Sequence, residues 1–426
     1  MAKPKLALIP AAQGSKFYSV LPSDGVGDFD FARASAATRI NKYGLIETVA
    51  SSQSRLNYPL IDGVVKGCPH HILEPVRTNL ITYSESFSNW TASDLTVTDN
   101  NSISPDGSLN ASKLTLTSGT SVKRIALGSM PTSSALRCYS IFFKTNDINS
   151  IQLLHSGDLQ GYANFDLVNS VVGTSGSKTT SKIENYGNGW YRCTAIFDNT
   201  NAFGSVLYLY IKDNALGTYG GSTSEVGDLF IFGAMYEEGS YPTSYIVSNS
   251  GSATTRVAET ANNAGDASTF NDSEGVLFAE IAGLVDGGSG NNYLILSDKT
   301  TSNNIIIQYA NNGGLFLSNT GSTFYINNDI DLTQNIKLAI KYGTSTSDYK
   351  VYLDGFERDI ESGFSATALS GIDDLSFEYV TGSNQFNGKT KQLQYFDSVL
   401  NDTELETLTS WVSFQDMAEG QLYTIE

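Results

Sequence analysis

Three histidines and three cysteines are the scarce reactive side chains of this 426-residue chain. His70 and His71 are adjacent, so on an extended backbone they point to opposite sides and cannot chelate one metal together. With His155 as the remaining imidazole, and with neither a Gly-x-Ser-x-Gly nor a His-Glu-x-x-His stretch, acyl transfer and zinc-dependent hydrolysis are poorly supplied. Cys68, Cys138 and Cys193 are too few and too widely spaced for a disulfide framework or a zinc site, and read as free thiols.

Carboxylates are plentiful, but glycoside cleavage depends on a separation that a sequence does not display. Glu237 and Glu238 point apart and read as a strand end with charge in solvent. Asp106, in the loop "SPDGS", and Asp228 and Glu237, at the two ends of a later strand, are in the right order for a structural calcium; no other cofactor is called for. Sugars stack on aromatic faces framed by amides, and Trp190, Tyr191, Tyr208, Tyr210, Tyr293 and Tyr352 are available for that role. Tyr352 is expected to be the most exposed of them, because it falls on the polar side of an alternating strand. The Gly/Asn-rich stretches 286–293 and 379–387 are candidate loops at a binding edge.

Such residues need a frame, and composition predicts an all-β one. Tyr (23) and Phe (21) abound alongside many Ser, Thr, Asn and Gly, with only 9 Pro. Residues 1–28 lack a sustained period and read as an extended arm; 29–84 hold short hairpins turned at Gly44 and Gly63. Segments such as "LRCYSIFFK", "WYRCTAIF" and "SVLYLYIK" within 85–247 predict a first jelly-roll sandwich. Small polar residues over 248–270 predict a linker, and strands from "GVLFAEI" onward predict a second sandwich over 271–416. Asp354-Gly355 should turn one of its hairpins. Asn401 and Glu404 form a capping box for a short C-terminal helix whose apolar face is Leu405, Leu408 and Trp411 or Val412, before a tail at 417–426.

Residues 29–90 resemble the N-terminal module of bacteriophage fibre and minor structural proteins. The likeness is carried by "RASAATR", "RLNYP" and "LEPVRTNL" in that order. "SPDGSLNASKLTLTSGT", "NGWYRC" and "FGAMYEEGSYPTSYIVSNSGSATTR" resemble the carbohydrate-binding-like jelly rolls that accompany it. "GVLFAEI", "YKVYLDG" and "KQLQYFDSVLNDTELETL" are similar to concanavalin A-like or laminin-G-like lectin modules. In "ILEPVRTNL", Pro75 biases Glu74 away from helix, and Glu74 with Arg77 would lock an extended connector between the anchoring module and the first sandwich, whose core Phe87 and Trp90 would enter.

The resemblance implies a non-catalytic virion fibre, made in the cytoplasm of an infected bacterium, that forms homotrimers, joins other virion proteins through its N-terminal region and binds host surface polysaccharide. A head-mounted decoration fibre and a glycan-degrading tail spike are the alternatives. A net charge of -18 speaks against nucleic acid as a partner. No stretch is apolar for long enough to insert in a membrane, and Pro10 interrupts "LALI" too early for a cleavable signal. Residues 1–80 hold nine Lys/Arg against six Asp/Glu, which predicts a mildly basic docking segment ahead of an acidic body.

Overall fold

A computed structural model describes residues 3–198, 204–287 and 291–410. The fold is all-β, with 34 strands and one α-helix among the described residues. Two antiparallel six-stranded sheets make the first sandwich. One runs, in spatial order, Thr91–Ser93, Arg124–Leu127, Leu207–Lys212, Ser150–His155, Tyr162–Asp166 and Val171–Ser175. The other runs Leu95–Ile103, Leu109–Leu116, Gly227–Glu238, Leu136–Thr145, Trp190–Asp198 and Thr179–Gly187. Period-two alternation sends Ile125, Leu153, Leu209 and Ile211 from the first sheet against Tyr139, Ile141, Phe143 and Phe197 from the second. Phe87 and Trp90 complete this core.

The second sandwich pairs a five-stranded sheet with an eight-stranded one built around Gly275–Gly283 and Gly388–Phe396. Strands from the start of the chain finish the larger sheet. Leu6–Leu8 pairs with residues 393–395, and His70–Leu73 pairs with residues 388–390 further along the same strand. Residues 1–28 are therefore not a free arm over their described part: Leu6, Leu8 and Phe17 are fully buried in the second core with Phe29 and Phe31. Strands of two or three residues leave no period to read, and the partner of Leu6–Leu8 lies at the far end of the sequence.

Segment 248–270 is likewise structure and not linker. Thr254–Arg256 pairs with Arg77–Asn79, and Thr260–Asn262 pairs with Phe29–Ala32. Apart from Phe270 at its end, its burial is achieved with Arg256, Glu259 and small residues, so no apolar pattern announces it. Between the two sandwiches, the hairpin of Ala37–Ile40 and Ile46–Val49 packs Ile46 against Phe142, Trp190 and Tyr245 on the outer face of the first sandwich. The N-terminal region thus bonds to both sandwiches at once.

The C-terminal helix, Asp402–Thr409, begins at Asn401, whose side chain accepts from the Glu404 N–H while the Glu404 carboxylate accepts from Asn401 N–H. Leu405 is buried; Trp411, Val412 and the 417–426 tail lie outside the described residues. The helix covers the outer face of the larger sheet, where Phe278, Ala339, Tyr352 and Phe396 meet Leu400 and Leu405. Strand Ile336–Tyr342 is consequently buried on both faces, although its Lys337–Ala339–Lys341 side looks solvent-facing in sequence. The Asp354-Gly355 turn forms as expected, with φ of 49° and 86°.

Candidate functional sites

Five charged side chains are sealed between the two sandwiches. Arg33 Nη1 lies 2.6 Å from Glu259 Oε1, and Arg55 Nε donates to the same oxygen at 2.9 Å. Arg55 also bonds the second Glu259 oxygen and reaches Glu74 at 2.8 Å, while Arg256 Nη1 contacts Glu74 Oε2 at 2.8 Å. The Glu74 backbone N–H donates to Glu259 Oε2 at 2.9 Å, closing the network. Burial pushes the Glu74 carboxyl up, but Arg256 and Arg55 outweigh it and hold the group down to about 2. Arg33, Arg55 and Glu74 belong to the three stretches that resemble the phage module, so the role of these three here is structural. Asn79, from the same stretch, is saturated: its amide donates to Ala234 and Ile246 carbonyls and its oxygen accepts from Tyr236 and Ile81 N–H groups.

Glu74 locks the connector as expected, though its partners are Arg55, Arg256 and Ser244 and not Arg77. Arg77 instead stands 3.7 Å from Glu237 and stacks on the Tyr241 ring at 5.3 Å. That places Glu237 fully inside, accepting from Thr243 N–H at 2.8 Å, with burial pushing its carboxyl up; it is not a charge in solvent. The three calcium candidates do not converge. Asp106 caps its own turn through Ser104, Ser108 and Asn110, and Asp228 bonds Thr115 and pairs with Lys113 at 3.4 Å. Asp228 and Glu237 stand nine residues apart on one strand, roughly 30 Å. Among the described residues no group of three or more His, Cys, Asp or Glu side chains is placed to hold a metal.

The sugar-contact candidates separate sharply. Tyr352 is fully buried beneath the C-terminal helix, its hydroxyl donating to Glu357 at 3.0 Å, because that helix covers the face that sequence assigns to solvent. Trp190 is buried too, its indole N–H donating to the Ile103 carbonyl at 3.1 Å. Tyr191 is half-buried. Tyr293 is half-buried beside Tyr379, with ring centroids 5.2 Å apart, and Asn387 N–H donates to Asn292 at 3.0 Å. The two Gly/Asn-rich stretches therefore meet at one edge of the second sandwich, residues 288–290 of the first lying outside the described part.

Tyr208 and Tyr210 belong to a larger assembly on the outer face of the first sandwich. Register places Arg124, Tyr210, Gln152 and Asn164 in one cross-strand row, and Ala126, Tyr208, Leu154 and Tyr162 in the next. The Arg124 guanidinium lies 4.6 Å from the Tyr208 ring centre and 5.3 Å from that of Tyr210, and donates to the Tyr210 hydroxyl. Gln152 and Asn164, both fully buried, bind the passing loop: Gly220 N–H donates to Gln152 at 2.7 Å, and Asn164 donates to the Gly217 carbonyl at 2.6 Å. That loop delivers Tyr219 to Tyr162, ring centroids 6.3 Å apart and edge to face. Burial pushes the Tyr219 hydroxyl up, with Tyr210 and Tyr208 adding to the effect. Tyr162, Tyr208 and Tyr219 remain half-exposed around Arg124. Period-two alternation locates Tyr208 and Tyr210 on this face, whereas Arg124, Tyr162 and Tyr219 come from other strands and a loop, and only sheet register brings them in.

A cleft of about 480 Å³ opens where the N-terminal hairpin, the first sandwich and the second sandwich meet. Arg39, Lys182, Glu184, Tyr186, Tyr241 and Lys389 line it, with Glu74 of the buried network at its wall.

No family model matches the chain, and no curated protein matches it. Solved structures with a partial likeness include the CBM40 of Ruminococcus gnavus IT-sialidase bound to α2,3 sialyllactose, at 16% identity and a TM-score of 0.25 over 32% of this chain and 83% of that one. Domains LG4-5 of the mouse laminin α1 chain match at 12% identity and 0.22 over 69% and 91% of the respective chains. Leech intramolecular trans-sialidase matches at 12% identity and 0.27 over 34% and 24%. At such scores, any ligand has to be argued from this chain's own geometry.

Proposed function

We infer that the chain is a non-catalytic glycan-binding protein of a bacteriophage virion. The virion assignment rests on the resemblance of residues 29–90 to phage fibre modules. Glycan binding rests on one arrangement: three half-exposed tyrosines around Arg124, two on strands and Tyr219 on a loop that Gln152 and Asn164 pin in place. Tyrosine rings offer apolar faces for the C–H face of a sugar, and their hydroxyls and a guanidinium offer hydrogen bonds at its rim. Because the loop is fixed by buried amides, little side-chain entropy is left to lose on binding. A shallow platform of this kind gives weak contacts that gain from repetition, which fits a homotrimer attached to the virion through its N-terminal region.

Labelled full-length protein incubated with a panel of bacterial strains tests the reading, with saccharide in the supernatant measured in parallel. Adhesion to selected strains that Tyr208→Ala combined with Tyr219→Ala weakens by about ten-fold or more, without sugar release, is the expected outcome. Undiminished adhesion of that variant would remove the platform from the proposal, and liberated sugar would replace the fibre by a degrading spike. Light scattering measures the trimer, and labelling of intact particles distinguishes tail from head.

A further inference from the structure

The cleft between the three regions carries charge that the fold leaves unanswered. Its lining holds four basic groups, Arg39, Lys182, Arg192 and Lys389, against Glu74 and Glu184. Most of these are already occupied. Arg39 pairs with Glu47 at 2.7 Å, Lys182 with Glu184 at 2.8 Å, and Arg192 donates to the Thr243 carbonyl at 2.9 Å. Glu74 is spent on Arg55 and Arg256. Lys389 has neither an ion pair nor a side-chain hydrogen bond among the described residues, and it is only partly exposed. Burial pushes its ammonium down and Lys182 adds to the effect, against the smaller opposing pull of Glu184 and Glu74.

Beneath the cleft, the sealed network sets Arg33, Arg55 and Arg256 against Glu74 and Glu259, a surplus of one positive charge. Glu237 stands near Arg256 of this network, but Arg77 and Arg192 also face it and keep the balance positive. Tyr241, its ring fixed by Arg77, also lines the cleft, but its hydroxyl is buried.

We propose that this cleft binds an anionic sugar unit, its carboxylate taken by the Lys389 ammonium and its hydroxyls by Asn57, Ser181 and the Tyr186 side. An unpaired ammonium suits a carboxylate, and the volume matches a mono- or disaccharide. The local positive field is a reversal within a chain of net charge -18, so the site would select an acidic residue of a polysaccharide and not the polymer's overall charge. The cleft is separate from the Arg124 platform, and either site can fail without the other.

Calorimetric titration of the full-length chain with a glucuronic acid disaccharide, the matching neutral glucose disaccharide and inorganic phosphate tests this. The uronate should bind, and the neutral sugar should bind at least about ten-fold more weakly. Lys389→Met should weaken uronate binding by a similar factor, with the melting temperature of the variant checked against the parent chain. Absence of uronate binding, equal binding of the neutral sugar, or indifference to Lys389→Met overturns the proposal. Phosphate binding as tightly as the uronate overturns its sugar half and leaves a bare anion site. Whole-cell adhesion of Lys389→Met that stays intact while uronate binding fails would leave the platform reading standing.

Discussion

At the scale of single side chains, His71 lies face to face on Phe17, with ring centroids 3.8 Å apart and planes 4° from parallel. Here the imidazole serves as a flat plate in the core, and burial pushes it down to about 3. Folded His71 therefore stays neutral where unfolded His71 takes a proton, so its contribution to stability is present above about pH 6.5 and is lost as pH falls from there towards 3. His155, held down to about 4 by burial, acts in the same direction. Replacing His71 by Phe keeps the plate and removes the proton site, so urea midpoints measured at neutral and mildly acidic pH should lie closer together in the variant than in the parent chain. An unchanged pH dependence would mean that His71 is not the group responsible. Tyr352 makes the complementary point: its type and alternation fit an exposed sugar contact, yet a helix 50 residues later in the sequence covers it.

Individual elements are joined by polar interactions as much as by apolar ones. Glu259 comes from a segment without apolar periodicity, and it holds both Arg33 and Arg55. Glu259→Gln leaves two buried guanidiniums without their shared counter-charge and should cost about 3–5 kcal/mol, read as a lowered denaturation midpoint. A loss under about 1 kcal/mol would show that water reaches the site and screens it. The C-terminal helix depends on its cap: Asn401→Ala removes the acceptor for the Glu404 N–H and should cost about 1 kcal/mol. Faster amide exchange across Asp402–Thr409, with the rest of the second sandwich unchanged, is the expected signature.

For the whole molecule, the strands at the start of the chain decide how it can be divided. Gly388–Phe396 has one edge covered by Leu6–Leu8 and His70–Leu73. A fragment limited to residues 271–410 exposes that edge and opens the core where Phe17, Phe29 and Leu73 belong. It should aggregate or fail to fold, and co-expression with residues 1–84 should recover soluble material. A soluble, cooperatively melting 271–410 fragment would show that the N-terminal strands are accessory. The same connectivity predicts that the two sandwiches of the full chain unfold together in calorimetry, since the Glu74 and Glu259 network lies between them.

Much of this was legible without coordinates because it is local. The doubly apolar strand at "LRCYSIFFK", the Asp354-Gly355 turn and the Asn401–Glu404 capping box each depend on residues that are neighbours in the chain, and each is found where expected. What only the tertiary structure decided depends on partners far apart in sequence. Arg33 meets Glu259, Leu6 meets Tyr395, and Lys389 lines one cleft with Tyr241. Burial by charge pairing leaves no apolar period, and two- or three-residue strands leave no period of any kind, so those contacts become visible only once sheet register and the packing of the two sandwiches are fixed.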